Sequence, residues 1–241
     1  MGKIFIYFIA LLLFACSTTT DPQKIVDKAL EAAGGDRFLN ATIEFDFRDR
    51  HYISRRNGGL FKHERILIDS TGTTRDILNN EGLTREFNGV KIEVPDTMRA
   101  KYASSTNSVI YFALLPYGLN DLAVNKKYLG EKEINGKQYY KIEITFQQEG
   151  GGEDHSDVFH YWINKESFVI DYLSYLYHTD GGGVRLREAY NRRVVNGITF
   201  QDYINYKPKD ETISLEELES LYLAGELVEL SRIELVNVSV E

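Results

Sequence analysis

The stretch GEKEINGKQYYKIEITF, residues 130–146, decides the fold. Asn135-Gly136 sits between two runs of strand-forming residues, and Asn-Gly supplies the two positive φ angles of a type I′ turn, so the stretch reads as a β-hairpin. Tyr140, Ile142, Ile144 and Phe146 alternate with polar residues, which places one face of the strand on a core and the other toward water. The same signal recurs at Asn88-Gly89, followed by Val90, Ile92 and Val94, and at Asn196-Gly197, followed by Ile198 and Phe200, with Ile204 and Tyr206 beyond an expected bulge. Upstream, Ile43, Phe45 and Phe47 alternate with Thr42, Glu44, Asp46 and Arg48 in the same period of two.

Other segments break this pattern. Asp21-Pro22 reads as an N-cap with proline at the first helical position, and Ile25, Val26, Ala29, Leu30 and Ala33 follow at helical spacing until Gly34-Gly35. This helix is expected to pack on the sheet rather than on lipid. Residues 158–163 and 168–177 are apolar on both faces, so both faces need cover, and helix is the obvious cover. The apolar run 109–115 follows the hydroxyl-rich residues 104–108 and ends at Pro116-Tyr117-Gly118, which predicts a short buried helix, with a strand as the alternative. Ser214, with Glu216-Glu217 behind it, predicts another helix through Leu223, before a last strand over residues 226–240. The sum is a mainly β (α+β) domain of about ten antiparallel strands with two or three helices, and a sheet of that size must twist and curl. Its concave face must be filled by its own helices, closed on itself, or occupied by a ligand.

The N-terminus carries an address. Lys3, the apolar run 4–14 and Leu13-Phe14-Ala15-Cys16 form a lipobox, which predicts a signal peptide over residues 1–15, acylation of Cys16, a tether over 16–20 and a single domain over 21–241. The apolar run is too short to span a bilayer, so anchoring is expected by lipid, each buried methylene contributing about 0.8 kcal/mol. Cys16 is the only cysteine, which excludes disulfides, thiolate metal sites and catalytic thiols from the mature chain. A net charge of −8, more negative still without Lys3, argues against nucleic acid and anionic lipid surfaces as electrostatic partners.

The helix Pro22–Ala33 before the first strand, Phe-Ala-Leu-Leu-Pro-Tyr-Gly-Leu over residues 112–119, the hairpin over 130–146, Tyr161-Trp162-Ile163 and Asn196-Gly197-Ile198 together resemble the superfamily of lipoprotein-localisation carriers and receptors, LolA and LolB. Within it, Tyr161-Trp162-Ile163-Asn164, Asp171-Tyr172-Leu173, Arg187-Glu188-Ala189-Tyr190-Asn191 and Asp202-Tyr203 are similar to a family of uncharacterised Bacteroidota lipoproteins. The resemblance implies an incomplete barrel capped by helices, with a hydrophobic concavity able to hold acyl chains. Ser17 after Cys16 resembles outer-membrane sorting, which together with the lack of an acidic run over residues 17–20 implies a place on the periplasmic side.

Sixteen tyrosines and 13 phenylalanines suit a lipid-lined sheet. Tyr111, Phe112, Leu114, Leu115, Trp162, Tyr172 and Tyr175 are the candidate lining; a dry aromatic core is the plainer account of each one singly. Arg185 and Arg187 share a strand face and are either half-buried ion pairs, with Asp171 and Glu188 at hand, or a clamp for a lipid headgroup. Glu153, Asp154, His155, Asp157 and His160 cluster near glycines but lack a metal-ligand spacing, and no cofactor is called for. No Gly-x-Ser-x-Gly, Ser-x-x-Lys or His-Glu-x-x-His motif is present, which argues against an enzyme. The expected function is an outer-membrane-anchored, periplasm-facing lipoprotein that binds a lipid or other lipophile; an envelope assembly protein that docks another protein is the alternative.

Overall fold

Asp21 accepts the backbone N–H of Gln23 at 2.9 Å and starts α1 (Pro22–Ala33), with Pro22 in its first turn. The computed structural model describes residues 20–150, 154–210 and 212–241; the lipobox, Cys16 and the tether up to residue 19 lie outside these, as does Glu153. Gly34 ends the helix at φ +142, and a Cβ there would meet the carbonyl oxygen of Gly197 at 3.0 Å, so glycine lets the helix end sit on the Asn196-Gly197 turn.

Six strands follow: β1 (Thr42–Phe47), β2 (Arg50–Asn57), β3 (Leu60–Asp69), β4 (Gly72–Asn79), β5 (Gly82–Phe87) and β6 (Val90–Ile92). After α2 (Asp96–Ala113) come β7 (Val124–Ile134), β8 (Lys137–Phe146), β9 (Val158–Asn164), β10 (Ile170–Tyr177), β11 (Gly183–Val195) and β12 (Ile198–Lys207). A 3₁₀ turn and α3 (Leu218–Leu223) lead to β13 (Val228–Ile233) and β14 (Val236–Val240). Among the described residues these strands form two antiparallel sheets of seven, ordered β14-β1-β2-β3-β4-β5-β6 and β13-β12-β11-β10-β9-β8-β7. The sheets do not close on each other: the architecture is mainly β, an incomplete barrel with helices, as expected, although the strands outnumber the ten read from the sequence.

The three Asn-Gly pairs each join neighbouring strands and hold positive φ at both residues. The expected last strand over 226–240 is instead two strands in different sheets. The break falls at Glu234-Leu235, where buried Asp202 accepts the Leu235 N–H at 2.9 Å and Asn191 Nδ2 at 2.6 Å and pairs with Arg193 at 3.2 Å. Arg193 also donates to the Leu235 carbonyl. This polar knot turns the chain from one sheet into the other.

The two sheets differ in chemistry. On the second, Ile142, Ile144, Phe159, Tyr161, Ile163 and Leu173 form the inner face and pack with Ile25, Val26 and Ala29 of α1. Fully burying an aliphatic side chain there contributes about 2 kcal/mol. The inner face of the first sheet is apolar near the seam, at Ile43, Phe45 and Tyr52; farther out it carries His63 and the triad Arg65–Asp76–Arg85, with contacts of 2.7 and 2.6 Å to Asp76. Its outer face holds a second buried carboxylate, Glu64, between Arg55, Lys62 and Arg75.

α2 corrects the short helix expected over 109–115. It starts at Asp96 and runs for 18 residues, so the hydroxyl-rich residues 104–108 lie inside the helix and do not cap it. Two of their hydroxyls find partners elsewhere: Ser104 donates to Asp154 at 2.6 Å, and Ser105 accepts from Arg65. Leu114 and Leu115 fall just past its end. The helix predicted from Ser214 begins as a 3₁₀ turn with a Ser214–Glu217 capping box and continues as α3. The 3₁₀ turn and α3 cover the outer face of the second sheet through Leu215 and Leu218, packed with Val184 and Leu186. The two-faced strands β9 and β10 are thus covered on both sides.

Candidate functional site

The site is built where α2 crosses the mouth of the incomplete barrel. β8, β9 and β10 present Phe146, Phe159 and Tyr175 inward, and the last turns of α2 set Tyr111 and Phe112 against them. Ring centroids lie 5.4 Å apart for Phe112–Tyr175, 5.5 Å for Phe159–Tyr175, 5.8 Å for Phe146–Phe159 and 5.6 Å for Tyr111–Phe112. Such packing adds about 1 kcal/mol per pair beyond area burial. The concavity is therefore filled mostly by the chain's own rings.

Hollows open on both sides of α2. The first, about 120 Å³, lies between α2 and the seam of the two sheets, and Val109, Phe112, Arg187, Gln201, Tyr203 and Leu235 line it, with Phe47, Ser108, Ala113 and Ile233 completing the wall. The second, about 160 Å³, is more polar; its walls include Arg56, His63, Tyr111, Leu114 and Asp121. Even together they fall short of the roughly 300–1,000 Å³ of a site that encloses a whole small molecule.

Polar groups converge in this apolar setting. Arg187, on β11, donates from Nη2 to the Tyr175 hydroxyl at 2.9 Å, and its guanidinium lies 3.9 Å from the Phe112 ring centroid. The Tyr111 and Tyr161 hydroxyls meet at 3.1 Å, and Tyr203 accepts from Gln201 Nε2 at 2.7 Å. Burial raises the pKa of Tyr111, Tyr161 and Tyr203, so all three hydroxyls stay neutral and able to donate. In the second hollow, burial and the charge of Arg56 push His63 down to about 3. Burial raises Asp121 against the pull of Arg56 and Lys126.

The structure brings some of the sequence candidates together and parts others. Phe112 and Arg187 line the first hollow, Tyr111 and Leu114 the second, and Tyr175 backs both Phe112 and Arg187. Leu115 is buried in the core beside α1. Trp162 and Tyr172 face the other way, under Tyr222 of α3, together with Ile134 and Tyr139. Strand alternation explains this correction: Tyr172 and Tyr175 are three apart on β10 and cannot share a face, and register pairs Tyr172 with Trp162 but Tyr175 with Phe159.

The arginines also depart from the expected ion pairs. Asp171 binds Arg192 at 2.6 Å and Tyr139 at 3.0 Å, and Glu188 accepts from Tyr206. Arg185 donates to the Val184 carbonyl and to the Tyr177 hydroxyl, both at 2.7 Å. Around the candidate metal ligands, Asp157 accepts from the backbone of His178, and His160 stands 3.5 Å from Glu143. Among the described residues, no group of three His, Cys, Asp or Glu side chains is arranged to hold a metal ion. Ser108, Val109, Gln201, Tyr203, Ile233 and Leu235 also line the hollow, though the sequence does not mark them as lining; Leu235 reaches it because the chain changes sheets there.

The same fold occurs in solved structures of low sequence identity. It is shared over 91% of this chain and 93% of a DUF1329 family protein from Desulfovibrio piger, with a TM-score of 0.50 and 12% identity. It is shared over 92% of both chains with a LolA superfamily protein from Nitrosomonas europaea, with a TM-score of 0.50 and 11% identity. The LolA-like fold expected from the sequence is thus the fold observed. No curated protein matches the chain by sequence. A family model does: residues 2–235 match the family of unknown function DUF6503, and the chain belongs to that family.

Proposed function

We propose that this protein is a lipoprotein, anchored in the outer membrane through Cys16 and facing the periplasm, that takes up a lipophilic chain between α2 and the aromatic inner face of the second sheet. The carrying observation is the convergence of Phe112, Phe159 and Tyr175 beside a hollow that is already open along α2. The LolA-like fold supports the reading, and so does the lipobox, given that no helix among the described residues is long and apolar enough to cross a membrane.

The hollow at the seam is about the size of a cavity that holds a benzene ring, so a longer guest requires α2 to move. Its attachment suits that movement. Only Thr106, Ile110 and Ala113 of its 18 residues are buried. Much of its hold is polar or cation–π: Ser105 on Arg65, Tyr102 on Arg85, Ser104 on Asp154 and Phe112 on Arg187. Lifting α2 would merge the two hollows into one aromatic groove. The reading is non-enzymatic: held at about 3, His63 is too weak a base to accept a proton near neutral pH.

The test is detergent-free extraction of the native protein in polymer nanodiscs, followed by native mass spectrometry. Release of a stoichiometric hydrophobic molecule from the folded chain is the expected result. Empty protein in every charge state, with no uptake of an added long-chain alcohol, overturns the reading.

A further inference from the structure

Arg187 is the only charged side chain among the described residues lining the hollow at the seam, and it is 9% exposed. Arg56 and Arg185, less buried than Arg187, pair with no carboxylate among the described residues, whereas Arg65 and Arg85 share Asp76 and Arg193 pairs with Asp202. Arg187 does not: among the described residues no carboxylate stands within ion-pair distance of it. One of its five N–H groups is satisfied by the Tyr175 hydroxyl, one face of the guanidinium is taken by Phe112, and the enclosed Nε has no hydrogen-bond partner. A buried cation without a counter-charge is costly, and a carboxylate or phosphate bound in two-pronged fashion relieves that cost. Tyr203, beside it in the same wall, already accepts from Gln201 and so keeps its own proton to donate.

The geometry points to Arg187 and Tyr203 as the receptor for the anionic head of a single-chain amphiphile, a carboxylate or a phosphate monoester, with its tail running out past half-buried Phe47, Val109 and Ile233. This inference rests on the lipophile reading above and names the chemical class of the guest. The head lies inward, where the cation waits, and the tail covers the apolar rim.

The test uses the full lipid-anchored chain in phosphatidylcholine nanodiscs and three diazirine-bearing probes of one chain length: oleate, oleyl phosphate and oleyl alcohol. Photolabelling of peptides that contain Phe112 or Tyr203 is read as an acid-to-alcohol ratio, so partition into the lipid cancels between variants. Arg187→Gln is expected to lower that ratio about tenfold or more for at least one of the two acids while alcohol labelling persists. The acid that loses more identifies the head. Arg187→Met, which keeps the apolar stem, provides the same reading should the glutamine variant lose its cavity. An unchanged ratio in whichever variant still labels with alcohol overturns the anion assignment and leaves lipophile binding standing. Absence of labelling by all three probes in the wild type overturns both.

Discussion

Ala113 stands in the wall of the hollow at the seam, at the last position of α2, and replacing it with leucine fills space that the structure leaves open. Three added carbons, at about 0.8 kcal/mol for each group buried, give about 2.4 kcal/mol. Ordering the leucine costs about 0.5–1 kcal/mol, and leucine is nearly as good a helix former as alanine, so Ala113→Leu should stabilise the fold by about 1.5 kcal/mol. For a domain of this size that is a rise of about 3–6 °C in Tm. Urea unfolding followed by Trp162 fluorescence measures it cleanly, because Trp162 lies on the opposite face of the second sheet beneath α3. The same variant should lose most photolabelling by the oleyl alcohol probe. Two results refute the reasoning. Destabilisation by more than about 1 kcal/mol is the signature of overpacking and means that the space is not available. A gain in stability with labelling intact means that the hollow is a packing gap away from the guest.

Acidification should weaken the fold through His63, which burial and Arg56 hold at about 3. Because the folded value lies below the unfolded one of about 6.5, the stabilisation is complete above about pH 6.5 and fades as pH falls toward 3. By pH 5 the loss at this residue is about 2 kcal/mol, and His63→Gln should flatten that part of the urea-midpoint profile; an unaltered slope refutes the assignment. His160, lowered first by burial and then by Lys141, loses stability in the same direction, so His160→Gln should remove a separate share. Trp162→Ala should cost about 3–5 kcal/mol in urea unfolding, whereas Trp162→Phe should leave probe labelling at the wild-type level, since the ring lies away from the hollows. Cys16→Ser should abolish incorporation of radiolabelled palmitate in cells; incorporation that persists removes the proposed anchor.

Local chemistry makes part of this fold legible. Asp21-Pro22 and Gly34 bound α1 at the residues the sequence indicates, and each Asn-Gly pair turns a hairpin, because capping and positive φ are decided within a few residues. The strands between Arg50 and Asn79 are harder to see, because their inner face carries His63, Arg65 and Asp76 where aliphatic alternation would mark it. α2 is half hidden for a similar reason: Ser104, Ser105 and Thr106 look like a cap, whereas Ser104 and Ser105 bond from within the helix to partners far along the chain and Thr106 is buried there. At the site, Phe112, Tyr175 and Arg187 are within reach because they sit in aromatic or paired-arginine patterns. Trp162 and Tyr172 fall on the wrong side in the sequence reading for want of a strand register. Gln201, Tyr203, Ile233 and Leu235 come together through the pairing of β12 with β13 and the knot at Asp202, and no pattern within either strand announces a contact made at a change of sheet.

β14 forms the edge of the first sheet beside β1, and Asn237 reaches back across 191 residues to donate to Asp46 at 2.6 Å. Thr42 and Glu241 exchange two backbone hydrogen bonds next to it, at 2.8 and 2.9 Å. The first sheet therefore lacks one edge until this strand has been delivered, and closing so long a loop slows the search for that pairing. A polypeptide that emerged amino end first could pair every strand of the second sheet before β14 appeared, but its first sheet would gain that edge only with the last strand.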